Sequence, residues 1–140
     1  MAYHRSGTAL LLVLAVLVTG CGWGRFPSSA PAPGVPRVSN LRVVPEEGRP
    51  GEAGVLAFDF TDVDADIVDV YVEISEVADF SISTGLEPVL LSHRKYFGQA
   101  QGTAREAIRW SREGLHLYEV FVVDAAGHVS NRLTTRVLIR

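Results

Sequence analysis

The chain has 140 residues, with 13 Lys and Arg against 16 Asp and Glu, and a formal net charge of −3. A length in this range fits one domain, because domains typically hold about 100–150 residues. The mild charge and the absence of a basic cluster argue against a nucleic-acid partner. The single cysteine excludes a disulfide within the chain, so in an exported protein it needs another explanation.

The N-terminal twenty residues have the pattern of an export signal. A short polar start carries Arg5, an unbroken apolar run extends from Ala9 to Val18, and the small residues Thr19 and Gly20 follow. A positive start, an apolar run of about 7–15 residues and small residues at the cut are typical of a secretory signal peptide. The run is too short to span a membrane as a helix, which needs about 20 residues. We therefore expect residues 1–20 to be removed.

The junction Val18-Thr19-Gly20-Cys21 resembles the bacterial lipobox. The resemblance implies cleavage before Cys21, a lipid on the Cys21 thioether and usually a third acyl chain on the new N-terminus. Two or three chains anchor durably, since each buried CH₂ contributes about 0.8 kcal/mol and one chain holds only marginally. Gly22 at the next position favours the outer membrane, if the cell has two membranes. The alternative is an ordinary signal peptide with an incidental cysteine.

Residues 21–36 are predicted to be a lipidated cysteine followed by a flexible tether. The segment is rich in Pro, Gly, Ser and Ala and has no hydrophobic period. Its four prolines favour an extended conformation of about 3.1 Å per residue, so it can hold a domain up to roughly 45 Å from the bilayer.

Residues 37–140 are predicted to fold as one all-β domain. Apolar residues alternate with polar ones in several short segments rich in Val, Ile, Phe, Tyr and Thr. These segments are 55–60, 67–74, 117–123 and 133–139, with a weaker one at 107–110. The stretch from Val63 to Val77 also has helical spacing. We predict a strand over Ile67–Ile74, because its many β-branched residues pack better on a sheet than in a helix.

Two segments resemble immunoglobulin-like and fibronectin type III-like domains. One is Tyr71–Ser75 with the bend at Asp79–Ser81, and the other is Gly114–Asn131, which resembles the last hairpin of such modules. The resemblance implies a two-sheet β-sandwich, with Asp124 accepting N–H groups of a turn and Gly127 at positive φ. Domains of that family often bury a Trp in their core, and the one counterpart in this domain is Trp110, late in the chain. The pattern concerns fold alone.

Asp62, Asp64 and Asp66 form an Asp-x-Asp-x-Asp connection after the strand at 55–60. Carboxylates at this spacing can converge on Ca²⁺. An EF-hand is excluded, because Ile67 stands where that loop needs Gly. A weaker Ca²⁺ site between strands is left open, and no other cofactor is expected. The alternative is that the acids keep the connection solvated and block edge pairing.

The segment from His93 to Phe97 combines positive charge with aromatic surface and is a candidate contact loop. Its members are His93, Arg94, Lys95, Tyr96 and Phe97. The alternative is a crossover between the two sheets.

Charge is unevenly distributed along the chain: residues 46–79 hold eleven acids and one Arg, whereas residues 86–140 hold five acids and eight Lys or Arg. An acidic face that binds a charged partner, or one that only aids solubility, would explain this.

No catalytic motif is present: the chain lacks a Gly-x-Ser-x-Gly elbow, a His-Glu-x-x-His pair and a phosphate-binding glycine loop. His116 is expected to face outward at a strand start. The sequence predicts a non-catalytic envelope lipoprotein, held by its lipid, whose sandwich contacts a protein or an envelope polymer. A Ca²⁺-binding sandwich is the second hypothesis. A secreted enzyme is the least favoured, since it would require His93 or His116 to meet a carboxylate in a pocket.

Overall fold

A computed structural model describes residues 34–78, 81–83 and 87–140 as two packed β-sheets without a helix. The small sheet has the order β1-β3-β7, and the large sheet has the order β2-β9-β8-β4-β5, with β6 also paired to β4. The strands are β1 Arg37–Val44, β2 Glu47–Gly48, β3 Ala53–Thr61, β4 Ile67–Ala78, β5 Ser81–Ser83, β6 Val89–His93, β7 Gln101–Arg109, β8 Gly114–Asp124 and β9 Leu133–Ile139. All pairings are antiparallel except β2 with β9.

The core lies between the two sheets and consists of the alternate side chains that each strand turns inward. From the small sheet come Leu56, Phe58 and Phe60, each no more than 2% exposed. From the large sheet come the inward rows of β4, β8 and β9: Ile67, Val70, Val72, Tyr118, Val120, Val122, Val137 and Ile139. The fold is an immunoglobulin-like β-sandwich, as the sequence predicted.

The four strongly alternating segments all form strands. β9 has the predicted bounds, whereas β3, β4 and β8 extend one to four residues beyond the predicted ends. The helical spacing over residues 63–77 does not form a helix: a connection occupies 62–66 and β4 begins at Ile67. The strands β1, β2, β5 and β6 were not predicted, and only the last residues of β7 were expected to form a strand. Two of them, β1 and β6, expose most of their residues, so they lack a clear alternating pattern.

Trp110 follows β7 directly and is one of the largest fully buried side chains, at 2% exposure. Two glycines make room for its ring. A Cβ added at Gly48 would lie 1.8 Å from Trp110 Cζ3, and one at Gly54 would lie 2.7 Å from Cζ2. No sequence pattern indicates this contact, because β2 is only two residues long and pairs in parallel with the distant β9.

The side chain of Asn131, in the connection between β8 and β9, links β1 of the small sheet to the large sheet. Val38 N donates to Asn131 Oδ1, and Asn131 Nδ2 donates to Val38 O, both at 2.9 Å. Asn131 therefore acts towards β1 as a neighbouring strand would.

Within the residues that the structure describes, no helix has the length and hydrophobicity needed to cross a bilayer.

Candidate functional site

Three connections meet at one end of the sandwich, which we call the loop end. They are residues 62–66 between β3 and β4, residues 94–100 between β6 and β7, and residues 125–132 between β8 and β9. Backbone hydrogen bonds join them: Asp62 N donates to Ala100 O at 2.7 Å, Gly98 N to Ala65 O at 2.7 Å, and Ala125 N to Asp66 O at 3.0 Å. The predicted Asp-rich connection and the predicted contact loop are therefore neighbours.

Asp62 is held inside the loop end, with 1% of its surface exposed. Its Oδ2 accepts a hydrogen bond from Asp66 N at 2.8 Å. Its Oδ1 is buried and has no hydrogen-bond partner among the described residues, and the same is true of Asp66 Oδ1. Such orphaned carboxylate oxygens are uncommon in folded proteins, because burying an acceptor without a donor is costly.

The pKa of the Asp66 carboxyl is raised above its usual value, chiefly by burial and then by the negative charges of Asp62 and Asp124. Hydrogen bonding to the Asp62 side chain and the charge of Asp64 act in the same direction. The Asp66 carboxylate is therefore surrounded by other negatively charged side chains. Among the described residues, no Lys or Arg forms an ion pair with Asp62, Asp64 or Asp66.

The three predicted metal ligands do not converge as a trio. Asp64 is exposed, and its Oδ2 lies 2.7 Å from the point where a Cβ would stand on Gly34, the first described residue. Among the described side chains, no group of three or more His, Cys, Asp or Glu is arranged to hold a metal ion. The structure thus brings Asp62 and Asp66 together and directs Asp64 towards the end of the tether.

Asp124 and His128 complete the loop end. Asp124 is 3% exposed, and its Oδ1 accepts His128 N at 2.7 Å while its Oδ2 lies 2.8 Å from His128 Nδ1. Gly127 has φ of 86°, so the turn has the form that the resemblance implied. Sequence reasoning found the role of Asp124 in the turn but missed its place beside Asp66. Nothing within either segment signals that proximity, because the two residues are 58 positions apart.

The pKa of His128 is raised by the hydrogen bond to Asp124 and by the Asp124 charge, with smaller contributions from the Gly34 backbone and Asp66, against a lowering by desolvation. The ring thus links the turn to the point where the tether reaches the sandwich.

The candidate contact loop divides into structural and exposed members. Tyr96 is buried, and its hydroxyl donates to Glu106 Oε1 at 2.7 Å and accepts Arg105 N at 2.9 Å. Lys95 Nζ donates to Arg105 O at 2.6 Å and pairs with Glu106 at 3.1 Å. These two side chains cover the outer edge of β7.

The remaining members of that loop reach solvent. His93 Nδ1 lies 2.7 Å from Asp69 Oδ1, with 61% of the His93 side chain exposed. The Arg94 guanidinium lies 4.1 Å from the centre of the Phe97 ring, and Phe97 is 44% exposed. Val63, in the neighbouring connection, is 86% exposed. The loop end therefore presents apolar and cationic surface around a buried acidic centre.

His116 does not face outward as predicted. It lies in the inward row of β8 at 4% exposure, and its Nε2 is 3.1 Å from Arg112 O. The error arose from taking the apolar Leu115 and Leu117 as inward residues. The inward row of β8 instead continues from Val122 through Tyr118 to His116, and the two leucines are only partly buried. The lipidation residue Cys21 and the cleavage motif Val18, Thr19 and Gly20 lie outside the described residues.

The chain matches no protein-family model and no curated protein. Among solved structures it is similar to the sporulation control protein Spo0M of Bacillus subtilis, with 10% identity, a TM-score of 0.51, and coverage of 76% of this chain and 50% of that one. It is also similar to the PKD domain of an M14-like peptidase from a Thermoplasmatales archaeon, with 20% identity, a TM-score of 0.45, and coverage of 76% and 94%. A CARDB domain from Pyrococcus furiosus shows 12% identity, a TM-score of 0.39, and coverage of 76% and 94%. At these identities the likeness concerns the fold alone, and it carries no statement about what this chain binds or does.

Proposed function

We propose that this protein is a membrane-anchored, non-catalytic envelope lipoprotein whose β-sandwich is an interaction or structural module. The observation that carries the proposal is the junction Val18-Thr19-Gly20-Cys21 at the end of an apolar run, followed by a Pro-rich tether and one sandwich. A lipid on Cys21 would confine the domain to the membrane surface. The outer membrane is the expected location in a cell with two membranes.

The positions of His93 and His116 support a non-catalytic role. His93 pairs with Asp69 on an exposed surface, and His116 is enclosed in the core beside a backbone carbonyl. Neither arrangement places a base beside a nucleophile in a pocket, which general-base catalysis would need.

Lipidation is tested with the full-length protein expressed in a bacterium that is fed an alkyne-bearing fatty acid. The protein should take up the label and sediment with membranes, whereas Cys21→Ser should do neither. Ser28→Ala, in the tether, is the matched control and should behave as the unaltered protein. A Cys21→Ser protein that still sediments with membranes and still carries the label would refute the anchor.

The loop end is the surface that we propose for a protein or envelope-polymer partner. Exposed apolar side chains next to a cation are typical of contact surfaces, and Val63, Phe97 and Arg94 provide them. A photo-crosslinking amino acid at Val63 or Phe97 in the tethered protein should capture a partner in intact cells. The same group at Val44, 56% exposed on β1 of the small sheet, is the control and should capture none. Equal capture from all three positions would contradict this assignment.

A further inference from the structure

The buried acidic centre of the loop end has a feature that the proposed function does not use. Asp62 Oδ1 and Asp66 Oδ1 are both buried and both lack a donor among the described residues. The Asp62 residue is more than nine-tenths buried and is fixed at both its backbone N–H and its Oδ2. Its free oxygen is therefore held in place, on a side chain that contacts Asp66 through the Asp66 backbone N–H.

The neighbouring groups do not neutralise this pair. Both oxygens of Asp124 are bound by His128. The Asp124 carboxylate adds negative charge and has no hydrogen-bond donor for Asp62 or Asp66. Asp64 adds a further charge near Gly34. The Arg94 guanidinium, on the adjacent connection, lies over Phe97. Lys95 and Arg132, also in these connections, pair with Glu106 and with Glu73 and Glu119 instead. Two buried carboxylate oxygens thus remain for a positively charged ligand.

We propose that Asp62 and Asp66 bind a divalent cation, Ca²⁺, at the loop end. Calcium is a hard ion that takes carboxylate, backbone carbonyl and water oxygens with flexible geometry. Since no three acidic side chains surround a common point, the two aspartates would supply the side-chain ligands, and backbone carbonyls and water would supply the rest. So few charged ligands predict weak binding, with a dissociation constant of about 10⁻⁴–10⁻³ M, as in extracellular calcium modules.

The cation would tie β3 to β4 next to two backbone hydrogen bonds, from Asp62 N to Ala100 O and from Ala125 N to Asp66 O. Filling the site would therefore stabilise the three connections together. This inference does not depend on the lipid anchor, and the experiment below leaves the anchor unchanged.

The test uses the full-length protein in detergent at neutral pH, with its melting temperature measured in chelator and in 10 mM CaCl₂ at matched ionic strength. With a dissociation constant of about 0.5 mM, this concentration should raise the folding equilibrium constant about 20-fold. Asp62→Asn and Asp66→Asn should abolish the increase. Glu113→Gln should retain it, because Glu113 is exposed and precedes β8 at the opposite end of the sandwich.

Asp66→Asn has a second use if Asp62→Asn fails to fold. The new amide can donate to Asp62 Oδ1, so this variant should be more stable than the unaltered protein in chelator and yet insensitive to Ca²⁺. Calorimetric titration of the unaltered protein and Asp66→Asn with CaCl₂ gives the binding directly.

Three results would overturn the proposal. The first is an unaltered protein that melts at the same temperature in Ca²⁺ and chelator and releases no heat on titration. The second is an equal Ca²⁺ response in all variants, which would indicate nonspecific ionic effects. The third is a further increase in stability on acidification below about pH 6, where the His128 contribution is already complete, together with no Ca²⁺ response. That result would show that the two carboxyls share a proton instead.

Discussion

Gly48, in the two-residue strand β2, lies so close to the Trp110 ring that no larger residue can replace it. Only hydrogen fits at Gly48, because a Cβ there would lie 1.8 Å from the ring. Gly48→Ala should lower the free energy of unfolding by about 1–3 kcal/mol, the usual effect of overpacking a core. Urea unfolding followed by circular dichroism, which does not depend on Trp110, measures the change.

The control for Gly48→Ala is the same substitution combined with Trp110→Leu. Removing the ring removes the clash, so the alanine should then have little effect, and the double-mutant cycle should show strong coupling. An equal loss in both backgrounds would mean that Gly48 is required by its backbone and not by the ring.

His128 gives the loop end a dependence on pH. Its pKa is raised in the folded protein, chiefly by the hydrogen bond to Asp124. A group with a raised folded pKa stabilises the protein fully below its unfolded pKa of about 6.5 and loses that stabilisation as pH rises through the folded value. The melting temperature should therefore contain a component that falls between about pH 6.5 and the folded pKa of His128.

His128→Gln should remove that component, whereas His93→Gln, at the exposed Asp69 pair, is the comparison variant. A melting profile of His128→Gln that retains the full decline above pH 6.5 would assign the dependence to another group. NMR titration of the His128 ring would measure the pKa itself.

At the scale of the elements, the connection before β7 protects an open sheet edge. Tyr96 and Lys95 bond to the backbone of Arg105, and both also bond to the buried Glu106, which accepts Ser92 Oγ as well. Free strand edges promote association with other chains, and covering them prevents it. The Tyr96 and Lys95 side chains thus provide hydrogen-bond partners both for the free backbone groups at the edge of β7 and for the buried Glu106 carboxylate.

Tyr96→Phe keeps the ring in contact with Phe60 but removes the hydroxyl. The variant should lose about 1–3 kcal/mol of stability, because Glu106 Oε1 and the Arg105 N–H each lose a partner. It should also associate more readily at high concentration. Phe97→Leu is the control, since that ring is exposed; light scattering and urea unfolding of both variants provide the comparison. Unchanged stability in Tyr96→Phe would show that water replaces the hydroxyl.

The strands with one buried face could be predicted from sequence, because alternation marks a half-buried strand directly. β3, β4, β8 and β9 are of this kind. β6 and β1 could not, since little of β6 is buried and β1 contains a bulge between Ser39 and Arg42. The acidic loop was visible as Asp62, Asp64 and Asp66, but its fourth carboxylate, Asp124, arrives by sheet pairing between β4 and β8. Tertiary contacts of this kind leave no local pattern.

For the whole molecule, β9 is the element whose loss should be fatal. It lies between β2 and β8, and it places Val137 and Ile139 in the core at no more than 2% exposure. Truncation after Arg132 should abolish cooperative unfolding, measured by near-ultraviolet circular dichroism. Val137→Ala, a milder change in the same strand, should leave a cooperative transition at lower temperature. A truncated chain that still unfolds cooperatively would show that the sandwich tolerates an open sheet.

The described chain enters the sandwich at the loop end and reaches Arg140 at the other. Gly34 lies beside Asp64, whereas Arg140 donates its N–H to Gly48, beyond the opposite end of β8, whose eleven residues span about 34 Å. A pull between these two residues would run along the strands and load many ladder bonds at once, instead of opening them one after another. A domain held at one end and gripped at the other would therefore yield abruptly, at a high force.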